Sequence, residues 1–269
     1  MGDALSPPRS AVGAGLRHHD TATPDVETAS EAYAQRFAGP VGAWMLAVQS
    51  QTLLALLEAI PGKLSILDVG GGHGQLVAPL RAAGHRVVVH GSRPVCHARR
   101  GLEPSARVAA DPWRLPFAEG AFDVVIAVRL LAHVEAWQEL LAEMARVARR
   151  GVAVDFPARG ALHRLAPALF GAKRRLEGST RPYFDYVPDE VTEALRATGL
   201  PAQRSARQFA WPMVLHRTLR APALSRTLEA LARALGLTAR LGSPVLMLAL
   251  RPADAKAVSR ALAPGEERR

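Results

Sequence analysis

One stretch in the first half of the chain has residue types and spacing suited to ligand chemistry: Ile66-Leu67-Asp68-Val69-Gly70-Gly71-Gly72-His73-Gly74. Apolar residues run into clustered glycines and an amphipathic stretch follows, so a strand is expected to pass through a tight turn into a helix. Glycine in such a turn tolerates positive φ and lets backbone amides come close to a ligand. A dinucleotide loop would want Gly at positions 70, 72 and 75, but position 75 is Gln. The glycines stand instead at Gly70, Gly72 and Gly74, behind the carboxylate of Asp68. A second block follows, Asp111-Pro112-Trp113-Arg114-Leu115-Pro116-Phe117, and then Gly120 and Phe122-Asp123-Val124-Val125-Ile126.

Together these blocks resemble the class I methyltransferases, and among them the small-molecule (type 11) family. The glycine loop looks like motif I, and the second block looks like that family's D-x-x-x-L-P-F and F-D-V-V segment. Leu131, His133 and Glu143-Met144-Ala145-Arg146-Val147 continue the match, which covers residues 64–156. The resemblance implies S-adenosylmethionine as cofactor. The turn at Gly70, Gly72 and Gly74 would wrap its methionine part, and Asp68 would orient the loop and the ligand amine. Asp111, followed by Pro112, would take the adenine amino group, and the chain at Ala127 and Val128 would line the methionine end. Family members carry an acid at the end of the second strand for both ribose hydroxyls, whereas Gly91 aligns there. Losing a charge-assisted hydrogen bond of about 1.5–3 kcal/mol would weaken binding roughly tenfold to a hundredfold. Either Ser92 or His90 substitutes, or the site is weakened; a conventional NAD enzyme, which wants the same acid, is disfavoured.

Methyl transfer from a sulfonium is an in-line displacement, so much of the rate can come from aligning nucleophile and methyl carbon in a dry pocket. A general base is needed only if the acceptor brings its proton into the reaction. His133, just past the fourth strand, and Asp155, near the end of the fifth, are the candidates, and packing is the competing role for His133. Arg129 stands where a permanent cation would meet the cofactor carboxylate or an acidic acceptor, unless it faces solvent. Two aromatic sets, Tyr183, Phe184 and Tyr186, and Tyr33, Phe37 and Trp44, read either as a cage over the sulfonium or as core. His216 has no identifiable partner in the sequence.

These residues need a frame. Short apolar runs alternate with amphipathic stretches from LSILDVG through HRVVVHG, ARVAA and AFDVVIAV to GVAVDF. That alternation predicts βαβ units and a Rossmann-like, doubly wound, mostly parallel seven-stranded α/β sheet, with ligands at the carboxyl ends of its strands. Two helices are expected ahead of the first strand, broken at Gly39-Pro40, and one more at PVCHARRGL. Apolar runs at 207–215 and 243–250 are expected to form the antiparallel pair that closes the sheet. Residues 1–28 read as an unstructured leader, 29–252 as the domain and 253–269 as a flexible tail. An insertion at about 158–187, basic and amphipathic, is expected to be a lid that selects the acceptor, which such a lid would suit if it is anionic or lipid-like.

The formal net charge is +10, carried almost wholly by Arg in an Ala-rich chain, which fits composition bias as well as a functional basic surface. No basic cluster is interleaved with aromatics, so nucleic acid is not the expected partner, and an RNA methyltransferase stays a minor alternative. A binding or accessory protein with a weakened cofactor site is the other. The single Cys96 excludes an intramolecular disulfide and a cysteine-based metal site, and no metal is expected. With no signal-like start and no run of membrane-spanning length, a cytoplasmic protein is expected, peripheral membrane contact staying open. The expected partner is a small-molecule methyl acceptor, its identity and the oligomeric state being undetermined by the sequence.

Overall fold

The structure, a computed structural model, describes residues 24–92, 107–160 and 183–254. Its centre is a seven-stranded sheet of β1 (Ser65–Val69), β2 (Arg86–Gly91), β3 (Arg107–Ala109), β4 (Phe122–Ala127), β5 (Ala148–Phe156), β6 (Ala202–Arg207) and β7 (Val245–Leu250), in the order β3-β2-β1-β4-β5-β7-β6. The pairings from β3 to β5 are parallel, and β7 runs antiparallel to both β5 and β6. The expected α/β architecture is the observed one.

Both faces of the central strands are covered, which explains their unbroken apolar runs. In β4, Val124 and Ile126 join one core cluster and Val125 and Ala127 the other. On the first face lie helix α3 (Gly39–Leu57), through Leu53, Leu56 and Leu57, and α4 (Val77–Ala82), through Val77 and Leu80. On the second lie α5 (Trp137–Val147) and α6 (Pro188–Ala197), through Leu140, Leu141, Met144, Val191 and Leu195. Each such buried Leu or Val contributes roughly 1.5–3 kcal/mol. The strand order turns about β1, flanked by β2 and β4, so the crevice of a doubly wound sheet opens at the carboxyl ends of β1 and β4.

Four expectations are amended. Residues 25–28, assigned to the leader, form a short helix, α1 (Asp25–Thr28), with Asp25 and Thr28 buried. The closing strand β6 lies at 202–207, and α7 (Met213–Leu219) occupies part of the run read as strand. As the sheet's edge, β6 has a half-exposed, polar sequence, AQRSAR, that carries no apolar run. Helix α3, 19 residues long, is long and apolar enough to cross a membrane, with a mean hydropathy of 1.3 over an 18-residue window, although no such run was expected. Here it is a core helix, its buried face including Gln49, which bonds to β5. Beyond β7, Asp254 pairs with Arg150 at 2.6 Å, so residues 253 and 254 of the expected tail are tied to the sheet. Cys96, the helix at PVCHARRGL and most of the lid, residues 161–182, lie outside the described residues.

The neck of that insertion is built in. Tyr186 N–H donates to Pro157 O at 2.9 Å and Arg159 N–H to Tyr186 O at 2.7 Å. The buried Tyr186 hydroxyl donates to Leu131 O at 2.7 Å.

Candidate active site

β1 delivers Asp68 to the crevice, and the chain then turns with Gly70, Gly72 and Gly74 at φ +67°, +48° and +65°. Side-chain-bearing residues are strained there. The turn wraps the Asp68 carboxyl closely, since a Cβ on Gly71 would stand 2.5 Å from Asp68 Oδ2. Asp68 is buried, and its Oδ1 has no hydrogen-bond partner. Burial pushes its pKa up to about 7, against the opposing charge of Arg129.

β5 delivers Asp155 to the same end of the sheet. Its Oδ1 accepts the Arg129 backbone N–H, and its Oδ2 accepts Gln49 Nε2–H at 3.0 Å. Burial raises this carboxyl to about 6, with both hydrogen bonds and the Arg129 charge opposing. Arg129 has φ +64°, an unusual conformation for a non-glycine residue, which directs its N–H to Asp155. Its guanidinium carbon lies 4.9 Å from the Phe37 ring centroid, and Nη1 is buried without a hydrogen-bond partner. One cation thus serves two carboxyls that burial would otherwise keep neutral.

Asp155 and Arg129 line a cavity. One wall comes from the N-terminal helices, with Tyr33, Arg36, Phe37, Met45 and Gln49, and a second from His133 and Tyr183. The third is the segment after β6, Gln208 to Val214, with Arg217 from α7. That segment is held from behind by the buried Glu229 of α8 (Pro222–Ala234), which accepts Ala210 N–H at 2.9 Å, Trp211 N–H at 3.0 Å and His216 Nε2–H at 2.9 Å. Gln208 is buried with neither amide atom of its side chain hydrogen-bonded. A buried, unsatisfied amide on a cavity wall is a place for a polar ligand group.

Residues 67–154 match the family model described as a methyltransferase domain. An uncharacterized methyltransferase of Mycobacterium sp. (strain JLS) is 34% identical over 118 residues, 43% of this chain and 47% of the relative. A second, from Mycobacterium marinum, is 33% identical over 125 residues with the same coverage. The match thus spans about half the length of these curated relatives. Among solved structures, a possible histamine N-methyltransferase from Thermotoga maritima superposes with a TM-score of 0.54 at 13% identity, covering 81% of this chain and 94% of that one. The magnesium protoporphyrin IX methyltransferase of Synechocystis, with SAH bound, gives 0.52 at 16% identity, over 82% and 93%. At those identities the likeness speaks for the fold.

The residues singled out by sequence do not all meet in one place. Asp155, His133 and Arg129 come together at the cavity, where Tyr33, Phe37 and Tyr183 also stand. Phe184 and Tyr186 pack on the core instead, and Trp44 packs edge-on to Phe209 and His216. Asp68, Gly70, Gly72 and Gly74 form the neighbouring loop, and Ala127 ends β4 in the core below it. Asp111 is exposed, its Oδ1 accepting Trp113 N–H at 2.9 Å, and Pro112 is buried beside it.

At the end of β2, His90 Nε2–H is taken by Ala110 O at 3.0 Å, and burial lowers the pKa of the ring. Gly91 and Ser92 are buried; Ser92 Oγ has no hydrogen-bond partner, while its N–H donates to Asp25 Oδ2 at 2.6 Å. Sequence reasoning missed Gln49, Gln208, Arg36, Arg217 and Asp25. Gln49 carried a signal: it falls four residues from both Met45 and Leu53 on the apolar stripe of its helix, where a polar residue needs a partner.

Proposed function

We propose that this protein binds S-adenosylmethionine at the glycine turn and transfers its methyl group to a small, anionic acceptor with a largely apolar body. The observation that carries the reading is the run from Asp68, buried beneath the glycine turn with an unmet oxygen, through Arg129 to Asp155 at the cavity wall. The residues present suit the cofactor. Asp68 Oδ1 would take its ammonium, the positive-φ glycines would leave room for its methionine part, and Asp111 would take the adenine amino group.

When bound, S-adenosylmethionine would supply an electrophilic methyl group on a sulfonium. The remaining work belongs to the chain. Arg129 offers a cation on the cavity wall, with Nη1 buried and without a hydrogen-bond partner, and Phe37, Phe209 and Met213 offer apolar surface. That combination selects an acceptor with negative charge on an apolar frame. Gln208 is placed to hydrogen-bond the acceptor and limit its rotation. Asp155, with its carboxyl raised to about 6 and donors on both oxygens, is placed to take a proton that the acceptor sheds near neutral pH.

The test has two stages. Calorimetry with S-adenosylhomocysteine asks whether the cofactor site works. A screen of small carboxylates, phosphates and carboxylate-bearing phenols, set beside amines and uncharged alcohols, with labelled methyl donor then asks for the acceptor. Transfer to cationic or uncharged compounds alone would overturn the acceptor class, and absence of cofactor binding would overturn the reading itself.

A further inference from the structure

β2 ends at Gly91, with Ser92 next in the chain, where a doubly wound sheet that binds a nucleotide usually presents a carboxylate to the ribose. The structure places a carboxylate there by another route. Asp25, from α1, is 4% exposed and lies against the end of β2, with Oδ2 accepting Ser92 N–H at 2.6 Å. Its other oxygen, Oδ1, is buried and has no hydrogen-bond partner. Ser92 Oγ beside it is likewise buried and unpartnered.

The segment that carries Asp25 is docked across the glycine turn. Thr28 O and the Ala29 Cα are the nearest atoms to a Cβ built on Gly72, at 3.4 and 3.6 Å, and His73 Nε2–H donates to Ser30 O at 3.1 Å. Residues 25–30 therefore run over the loop that would hold the methionine part and end at the strand that would hold the sugar. A buried carboxylate oxygen without a donor costs stability, and a diol brought to it supplies the missing donors.

We propose that Asp25 is the ribose-binding carboxylate of this protein, contributed by the N-terminal segment in place of the second-strand acid, with Oδ1 receiving a ribose hydroxyl. The assignment rests on the cofactor reading above. It also makes α1 a strap that shields the bound sugar from water and must lift to admit it.

Calorimetry on the full chain tests this with three ligands: S-adenosylhomocysteine and its 2′-deoxy and 3′-deoxy analogues. In the native protein at least one deoxy analogue should bind about tenfold or more weakly than the parent. In Asp25→Ala the parent should lose a similar factor, and that analogue's disadvantage should shrink to within about threefold. Asp25→Asn, nearly isosteric, repeats the comparison in a chain that keeps its packing. If the variants weaken all three ligands equally, Asp25 only anchors the segment and the assignment is wrong. Tighter binding in the variants would show that the carboxylate occupies the sugar's place, which also overturns it. Failure of the native protein to bind the parent would remove the cofactor reading and this assignment together; normal native binding with an unchanged deoxy penalty removes this assignment alone.

Discussion

Gln49 donates its side-chain amide to Asp155 Oδ2 at 3.0 Å, linking the buried face of helix α3 to the carboxyl end of β5. The bond helps keep a buried carboxyl ionised, because a donor stabilises only the charged form. In Gln49→Leu the Asp155 pKa should rise above its value of about 6. Titration of the Asp155 carboxyl by NMR would show it, and an unchanged value would mean that Arg129 N–H alone sets the charge. The variant should lose about 1–3 kcal/mol of stability at pH 8 and less at pH 5, where Asp155 is protonated.

Asp68 and Asp155 also shape stability against pH. Both folded-state values lie above the ordinary 3.8, at about 7 and about 6. The folded protein therefore retains protons that the unfolded chain releases. The associated stability is full below about pH 4 and is lost as pH rises through 6 and 7. Urea unfolding of Asp68→Asn beside the native protein should show the variant gaining relative stability between pH 4.5 and pH 8. A constant difference over that range would contradict the raised carboxyl.

Ligand binding should run the other way. An ammonium beside Asp68 favours the ionised form, so the affinity of S-adenosylhomocysteine should rise as pH increases from 6 to 8. Asp68→Asn should bind it tenfold to a hundredfold more weakly at pH 8, corresponding to about 1.5–3 kcal/mol, with a flatter pH dependence. Calorimetry at three pH values decides. A variant that binds as tightly as the native protein would remove Asp68 from the site.

Asp123 shows a carboxylate with a purely structural task. Burial would raise its pKa, but hydrogen bonds from the Ser65 N–H, from Arg149 and from the Ser65 hydroxyl hold it at about 2. Its contribution is present above pH 3.8 and fades as pH falls towards 2. Asp123→Ala should cost about 2 kcal/mol at pH 7, read by urea unfolding, mainly through the unpaired Ser65 N–H. Arg149 is 61% exposed, so Arg149→Ala should cost under about 1 kcal/mol.

Glu229 holds the cavity's third wall from behind. Glu229→Ala would leave two backbone N–H groups and His216 without their acceptor, and should cost roughly 3 kcal/mol. Urea unfolding measures the loss. A cost under about 1 kcal/mol would show that the segment from Gln208 to Met213 keeps its place unaided.

The strands from β1 to β5 and the glycine turn were legible in the sequence because their requirements are local. The part of a strand covered on both faces must be apolar, as in Val124 to Ala127 of β4, and the turn at positive φ favours glycine at Gly70, Gly72 and Gly74. Edge strand β6 escaped because a half-exposed strand has no such requirement, and its polar sequence reads as loop. The cavity was only partly legible: Asp155 and Arg129 could be placed at strand ends by counting, but their joining through a left-handed Arg129 could not. Gln49 meets Asp155 across 106 residues and Asp25 meets Ser92 across 67. Gln49 shows in the pattern only as a polar residue on an apolar stripe and Asp25 not at all, and no periodicity names the distant partner, because each contact needs one polar atom at one point in space. The sequence by itself determined the fold and the turn for a ligand; only tertiary packing decided which distant side chains meet the buried polar groups at the strand ends.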